Sequence, residues 1–273
     1  MGRADPDLVA LVALVGRLIA DGPNDRPPLI AVVGAQGSGK TTLARAAAER
    51  FGAVQISIDD VYLTRAEREV MARDVHPLFV TRGPPGTHDL ILLQRLIDAL
   101  SAAGPDDETR IPDFDKRGDD RRPVEAWRVF RGRPSAILID AWCLGCRPQD
   151  ATALAEPVNA LEADHDPGGR WRRAVNGFVG GAYADFIARF DTVLFLKAPG
   201  FDGVLDWRCQ QEADLLGVAR ADLPDDERAR LASFIQYFER ITRHMLDGGF
   251  RADVVVPLDR NRRPGPVTVA TGR

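Results

Sequence analysis

The stretch Gly34-Ala35-Gln36-Gly37-Ser38-Gly39-Lys40-Thr41 fits the spacing G-x-x-x-x-G-K-[ST], and its flanks constrain the fold more than any other part of the chain. An apolar run, Leu29 to Val33, precedes it, and a helix-forming run, Thr42 to Arg50, follows. Strand, glycine turn and helix start come in the order that a phosphate-binding loop requires. The glycines leave backbone N–H groups free to curl around phosphate oxygens, and the start of the next helix adds partial positive charge at the same spot. The expected nucleotide contacts are Gly34, Gln36, Gly37, Ser38, Gly39, Lys40, Thr41 and Thr42, with Lys40 reaching the β- and γ-phosphates of ATP and Thr41 placing its hydroxyl on Mg²⁺. A dinucleotide fingerprint fits less well. Gly37 and Gly39 are spaced G-x-G, but the third glycine position falls on Thr42.

At 273 residues the chain can bury a sizeable core, either as one large α/β domain or as one domain with insertions. Its 36 basic and 40 acidic side chains give a formal net charge of −4, so it has no global basic field and nucleic acid is not an expected partner. Three cysteines, Cys143, Cys146 and Cys209, form no disulfide framework, which fits a reducing cytoplasm. Cys143 and Cys146 make a C-x-x-C without a second pair to complete a zinc site, so ordinary packing is expected of them. The apolar run Leu8 to Ala20 follows Asp5 and Asp7 where a signal peptide would be basic, Arg17 interrupts it, and it is too short to span a bilayer. It reads as an amphipathic helix over about residues 7–21, with no membrane partner expected.

Apolar β-rich runs alternate with helical stretches along the chain. Leu29 to Gly34, Ala53 to Ile58, Ala136 to Asp140, Thr192 to Lys197 and Asp253 to Leu258 are predicted strands. Thr42 to Arg50, Asp89 to Ala102, Gly203 to Leu216 and Asp225 to Leu246 are predicted helices. This alternation predicts an α/β fold of the P-loop NTPase type, a parallel sheet with helices on both faces, over residues 1–273 as a single domain. Loop insertions are expected at about 104–134 and 150–170, where the chain is polar and rich in Pro, Gly, Asp and Arg.

Open α/β sheets place their ligands at the carboxyl ends of their strands. The second strand ends in Ser57-Ile58-Asp59-Asp60-Val61-Tyr62. Adjacent carboxylates point to opposite sides of an extended strand, so one can face the cleft while the other caps or is solvated. An aspartate beside Mg·ATP can orient an acceptor hydroxyl and take its proton. Ala136 to Asp140 is an apolar run closing on an acid, the form that holds Mg²⁺ directly or through water, which makes Thr41 and Asp140 the expected metal pair. Only Lys40, Lys116 and Lys197 are lysines in this arginine-rich chain, so each lysine hints at a specific need.

Further motifs follow in order: Arg82-Gly83-Pro84-Pro85-Gly86-Thr87-His88-Asp89, Ile111-Pro112-Asp113-Phe114-Asp115-Lys116, Gly118-Asp119 with Arg121 close behind, and Trp207-Arg208-Cys209-Gln210-Gln211-Glu212. With the phosphate loop they resemble the D-glycerate 3-kinase family, P-loop kinases related to phosphoribulokinase, uridine kinase and pantothenate kinase, over about Ile30 to Leu258. The resemblance implies transfer of the ATP γ-phosphoryl group to a hydroxyl of a small hydroxy acid, most simply D-glycerate. It implies Lys40, Asp59 and Arg208 as catalytic residues, Asp59 as general base and Arg208 near a phosphate lid. It also implies Asp59, Tyr62, Arg82, His88, Asp89, Lys116 and Arg121 as acceptor-side contacts. The chain departs from the family pattern at Val61, where an aromatic residue is usual, at Arg117, where serine is usual, and at Asp140-Ala141-Trp142, where Glu-Gly-Trp is usual. A carboxylate acceptor calls for a cation, and Arg82, Lys116, Arg117 and Arg121 are candidates. A nucleoside, pantothenate or sugar acid is an alternative acceptor, and a non-catalytic ATP-binding relative is the alternative class. A GTPase is excluded by the absence of an Asn-Lys-x-Asp motif, and a transporter ATPase is disfavoured by the absence of a Leu-Ser-Gly-Gly-Gln run.

Overall fold

The computed structural model describes residues 5–270, so positions 1–4 and 271–273 of the expected domain lie outside the described residues. The chain opens with α1 (Pro6–Ala20), β1 (Leu29–Gly34), α2 (Lys40–Phe51) and β2 (Val54–Ser57). After a single tight turn over Ile58–Val61 come α3 (Arg65–Asp74) and α4 (Leu90–Ala102). Four short strands follow: β3 (Glu108–Ile111), β4 (Phe114–Asp115), β5 (Asp120–Arg121) and β6 (Arg128–Arg131). Then come β7 (Ile137–Ala141), α5 (Ala160–His165), α6 (Arg170–Phe178) and α7 (Ala184–Ile187). The last elements are β8 (Thr192–Lys197), α8 (Asp202–Leu216), α9 (Asp225–Leu246), β9 (Val254–Pro257) and β10 (Thr268–Val269).

The main sheet runs β10-β9-β8-β1-β7-β2, parallel except for the edge strand β10, which pairs antiparallel with β9. Strand β1 is buried along its whole length, as expected of a parallel strand covered on both faces. Alternation divides its side chains between two cores. Ala31 and Val33 face one cluster with Ile56, Ile139, Phe195, Leu93 and Phe238, drawn from the sheet, α4 and α9. Ile30 and Val32 face another with Leu138, Leu194, Val15, Leu43 and Val204, drawn from the sheet, α1, α2 and α8. This is the architecture expected of a P-loop NTPase, an α/β fold with a mostly parallel sheet flanked by helices.

Local chemistry fixes the helix starts. Asp5 accepts from the Asp7 backbone N–H at 3.0 Å and Pro6 opens α1. Asp89 caps α4 by accepting from the Leu92 N–H at 2.9 Å. Helix α2 differs, for it starts at Gly39 in the left-handed region (φ 87°) with no side-chain cap, which leaves its first N–H groups open to a ligand.

The two insertions are more regular than their composition predicts. Within 104–134, β3 pairs antiparallel with β6 and β4 with β5. Within 150–170, Asn159 caps α5 through the Glu162 N–H at 3.0 Å. Strands of two to four residues and a six-residue helix are too short to show a period in the sequence. Helices α3, α6 and α7 were likewise not among the expected elements.

Candidate active site

The phosphate loop lies between the end of β1 and the start of α2, packed from below by α8. At Gly37 (φ +77°) a Cβ would stand 2.6 Å from the Trp207 Cβ, so both conformation and contact demand glycine there. Trp207 in turn donates through Nε1 to the Arg260 carbonyl at 2.9 Å, and Arg262 donates through Nε to the Gly37 carbonyl at 2.7 Å. Ser38 Oγ and Gln36 Oε1 are buried without hydrogen-bond partners. At Gly39 an added Cβ would meet nothing within 4 Å. Free polar atoms around an open glycine turn are the features a phosphate chain would satisfy.

Next to the loop is a cleft of about 380 Å³ whose walls include Gln36, Lys40, Thr41, Asp59, Tyr62, Arg82, Lys116, Asp140 and Arg208. Nine of the residues picked out from the sequence thus share one cavity. Lys40 and Thr41 also line a second cavity of about 230 Å³ with Gly37, Gly39, Thr42, Gln211, Asp214 and Arg262. Gly34 and Ser38 line neither cavity, and a Cβ added at Gly34 would lie 2.6 Å from Ser38 Oγ.

Asp140, fully buried near the end of β7, accepts from Thr41 Oγ1 at 2.6 Å on one oxygen and from Gln55 Nε2 at 2.7 Å on the other. Ser57 Oγ also lies 3.3 Å from the first oxygen. Burial raises the Asp140 carboxyl above its usual range, opposed by the Lys40 charge and by the hydrogen bonds from Thr41 and Gln55. Burial lowers the Lys40 ammonium, opposed by Asp140 and Asp59. Hydroxyl and carboxylate together form a hard-oxygen pair of the kind Mg²⁺ uses alongside phosphate oxygens.

The tandem acids after β2 divide their work. Asp60 turns back and accepts from the Ser57 N–H at 3.0 Å, closing a capping box, and burial beside Asp140 and Asp59 pushes its carboxyl up to about 7. Asp59 faces the cleft, accepting from Tyr62 Oη at 2.7 Å and from Lys116 Nζ at 2.8 Å. Burial alone would raise Asp59, but the Lys116 charge and the hydrogen bonds from Lys116 and Tyr62 outweigh it and hold the carboxyl well below the usual range. Tyr62 stacks on His88 with ring centroids 4.6 Å apart and meets Phe114 edge-on at 5.3 Å. Arg82 pairs with Asp119, which also receives the fully buried Arg68, and donates to the Lys116 carbonyl at 3.1 Å.

Three of the expected acceptor contacts stand behind the wall and not on it. His88 is 5% exposed, with its Nδ1 2.5 Å from the Tyr183 hydroxyl. That hydroxyl also accepts from the Gly86 N–H at 3.0 Å, and the Nε2 of the His88 ring is buried without a partner. Burial lowers His88 to about 4. Asp89 is occupied in capping α4, and Arg121 is held by Asp89 at 3.2 Å and the Tyr62 carbonyl at 2.8 Å. Arg208, on α8, does reach the cleft, with NH1 2.5 Å from Gln211 Oε1 and a buried Nε that has no partner. Burial lowers it, opposed chiefly by Glu212.

The structure adds residues that sequence reasoning passed over. Gln55 orients Asp140, and its signal is a lone amide inside the apolar run of β2. Arg45, Trp142, Phe234 and Phe238 line the cleft, and Trp142 donates to the Gly83 carbonyl at 3.1 Å. Gly83 (φ +125°) is pressed so closely on Phe238 that a Cβ would lie 2.5 Å from its ring. Cys143 and Cys146 are buried free thiols, the first pushed well up by burial and the second to about 12, as befits packing residues.

No family model matches the chain. It is 29% identical over 222 residues to the "Uncharacterized kinase mug58" of Schizosaccharomyces pombe, 75% of this chain and 77% of that one. Among solved structures, that of the YGR205w protein superposes with a TM-score of 0.69 at 22% identity, covering 98% of each chain. A D-glycerate 3-kinase from Cryptococcus neoformans var. grubii gives a TM-score of 0.69 at 20% identity, covering 97% of each chain. Fold and loop together place the chain in the class of P-loop proteins. Within that class its fold is shared with the YGR205w protein and with the D-glycerate 3-kinase of Cryptococcus neoformans var. grubii. Among the described residues, no helix is long and apolar enough to cross a membrane.

Proposed function

We propose that this chain is an ATP-dependent kinase that transfers the γ-phosphoryl group to a hydroxyl of a small hydroxy acid, with D-glycerate as the acceptor and 3-phosphoglycerate as the product. The observation that carries the reading is the sharing of one cleft by Lys40 and Thr41 of the phosphate loop, the carboxylate of Asp59, and the cations Arg82 and Lys116. A pure nucleotide binder has no use for a carboxylate and two cations facing the same space. The likeness to a protein named as a D-glycerate 3-kinase supports the acceptor.

In this reading the uncapped start of α2 and the N–H groups of the loop hold the phosphates, while Lys40 offsets negative charge on the group in transit. Thr41 and Asp140 would hold Mg²⁺, which when bound neutralises charge on the β- and γ-oxygens. Asp59 accepts the proton of the attacking hydroxyl. Arg82 and Lys116 receive the acceptor's carboxylate, and Arg208 closes over the phosphates with the guanidinium N–H that now lacks a partner. The aromatic wall of Phe114, Trp142, Phe234 and Phe238 excludes water, which limits hydrolysis.

The test is a coupled ADP assay across small hydroxy acids, sugar acids, nucleosides and pantothenate. Strong stimulation by D-glycerate, with glycerol a poor substitute, is the expected result. Stimulation by a nucleoside or pantothenate alone would reassign the acceptor, and no stimulation by any compound would reduce the chain to an ATP binder.

A further inference from the structure

Both oxygens of Asp59 are engaged, one by Tyr62 Oη at 2.7 Å and the other by Lys116 Nζ at 2.8 Å. Each oxygen keeps a second lone pair for a substrate hydroxyl, but the ammonium 2.8 Å away holds the proton affinity of the carboxylate down and so weakens it as a base. The two partners differ in how they are held. Tyr62 is buried and clamped between the His88 ring and the edge of Phe114. The Lys116 side chain is 57% exposed, against 29% for Asp59. Its backbone, by contrast, is fixed. The Lys116 carbonyl accepts from Arg82, Asp115 accepts from the Arg117 N–H at 3.0 Å, and β4 pairs with β5. The ammonium can therefore swing on a flexible stem while its anchor stays in place. Arg82, the neighbouring cation on this wall, is tied to Asp119.

We propose that Lys116 acts as a latch on Asp59: it keeps one oxygen of the carboxylate paired until an anionic acceptor takes up the ammonium, which releases that oxygen at the moment the acceptor hydroxyl arrives. This rests on the reading of the chain as a kinase of small hydroxy acids. It explains the residue type, because an arginine would grip Asp59 through a two-pronged fork, whereas a lysine makes a single-point contact that a second carboxylate can win.

The groups facing Asp59 give the sign of the change. They are Lys116 from the β4–β5 hairpin, Tyr62 and Asp60 from its own turn, Lys40 from α2, Asp140 from β7, Cys143 just beyond β7, the neutral ring of His88 and Arg208 from α8. With the ammonium withdrawn, burial and the like charges of Asp60 and Asp140 act against fewer favourable partners, and the proton affinity of Asp59 rises. Asp59 becomes a stronger base. In the transfer itself the acceptor oxygen bonds to the γ-phosphorus, the bond from that phosphorus to the bridging oxygen of ADP breaks, and the hydroxyl proton passes to Asp59.

The experiment compares the wild-type protein with Lys116→Met and Lys116→Arg, using MgATP with D-glycerate and with glycerol, which keeps the hydroxyls but lacks the carboxylate. For Lys116→Met, kcat/KM for D-glycerate should fall at least about tenfold, while kcat with glycerol should rise about tenfold, as a stronger general base allows. The acid limb of its glycerol kcat profile should also move to higher pH. A lysine that only binds substrate would lower D-glycerate use and leave glycerol untouched, which would overturn the latch. Should Lys116→Met fail to fold, Lys116→Arg decides: kcat at saturating D-glycerate should fall with KM little changed, and an unchanged kcat would overturn the latch. If the wild-type protein phosphorylates neither compound, the reading of D-glycerate as the acceptor fails and the latch falls with it. Wild-type activity on D-glycerate with no gain on glycerol in Lys116→Met removes the latch alone.

Discussion

At the scale of single residues, position in the fold decided which side chains reach the cleft and which support it. Asp59 and Asp140 were legible because each follows an apolar strand run, but the tandem acids lie in the tight turn over Ile58–Val61 and not on extended strand, so alternation does not sort them. Both line the cleft, Asp60 tied back to the Ser57 N–H and Asp59 held by Tyr62 and Lys116. His88, Asp89 and Arg121 sit among motif residues that do line the cleft, and sequence spacing cannot show that their polar atoms are engaged with Tyr183, the start of α4 and each other. The buried state of His88 has a measurable consequence. Its ordinary value is 6.5 and its folded value about 4, so the unfolded chain binds the extra proton first. Its contribution to stability is full above about pH 6.5 and is lost as the pH falls toward 4. Between pH 7.5 and 4.5 this amounts to roughly 2 kcal/mol. Urea unfolding at the two pH values should show a smaller acid loss in His88→Gln, which does not titrate, than in the wild-type protein. Equal losses would mean that the ring is protonated in the folded state.

At the scale of elements, the phosphate loop, its flanking strand and helix, and the long helices α4, α8 and α9 were readable because each spans enough residues to show a period or carries glycine at its turn. Helix α3 was missed although Thr64-Arg65-Ala66-Glu67 carries its start signal, and in the fold Thr64 and Glu67 form a reciprocal capping box. The β4–β5 hairpin that carries Lys116 has two residues per strand, too few for any pattern to register. How tightly elements meet is likewise hidden in sequence, and the contact between the loop and α8 can be tested with two glycines. Gly37→Ala meets both a left-handed backbone and the Trp207 Cβ at 2.6 Å, whereas Gly39→Ala meets the same backbone demand with nothing within 4 Å. The backbone term alone costs about 1–2 kcal/mol, or roughly 2–8 °C in Tm for a chain of this size. Thermal melts should show that loss for Gly39→Ala and a clearly larger one for Gly37→Ala. Equal losses would mean that α8 yields to the loop. ATP binding should weaken in both, since a methyl group added at Gly39 would stand where phosphate oxygens approach.

At the scale of the whole molecule, the sequence names the strands but not their neighbours. The order β10-β9-β8-β1-β7-β2 sets β1 between two strands that come more than a hundred residues later, and this crossing brings Thr41 within 2.6 Å of an aspartate 99 positions away. A site assembled across that distance joins α2 to β7, so a ligand that bridges them should stabilise the fold as a unit. At a concentration of one hundred times its Kd, a ligand of the folded state adds about 2.7 kcal/mol, which corresponds to roughly 5–11 °C in Tm. MgATP should produce a shift of that order in the wild-type protein, and ATP with a chelator a smaller one. Lys40→Ala should melt near the wild-type temperature without ligand, because its ammonium makes a single 3.3 Å contact to the Ala35 carbonyl, yet lose most of the shift. Asp140→Asn separates metal from phosphate. Asparagine can still accept from Thr41 through its oxygen, and Gln55 can turn its amide to accept from the new N–H, so the fold should persist. The shift from ATP alone should survive in that variant while the increment from Mg²⁺ disappears. A full MgATP shift in Lys40→Ala would remove the phosphates from the loop, and an undiminished Mg²⁺ increment in Asp140→Asn would move the metal away from the end of β7.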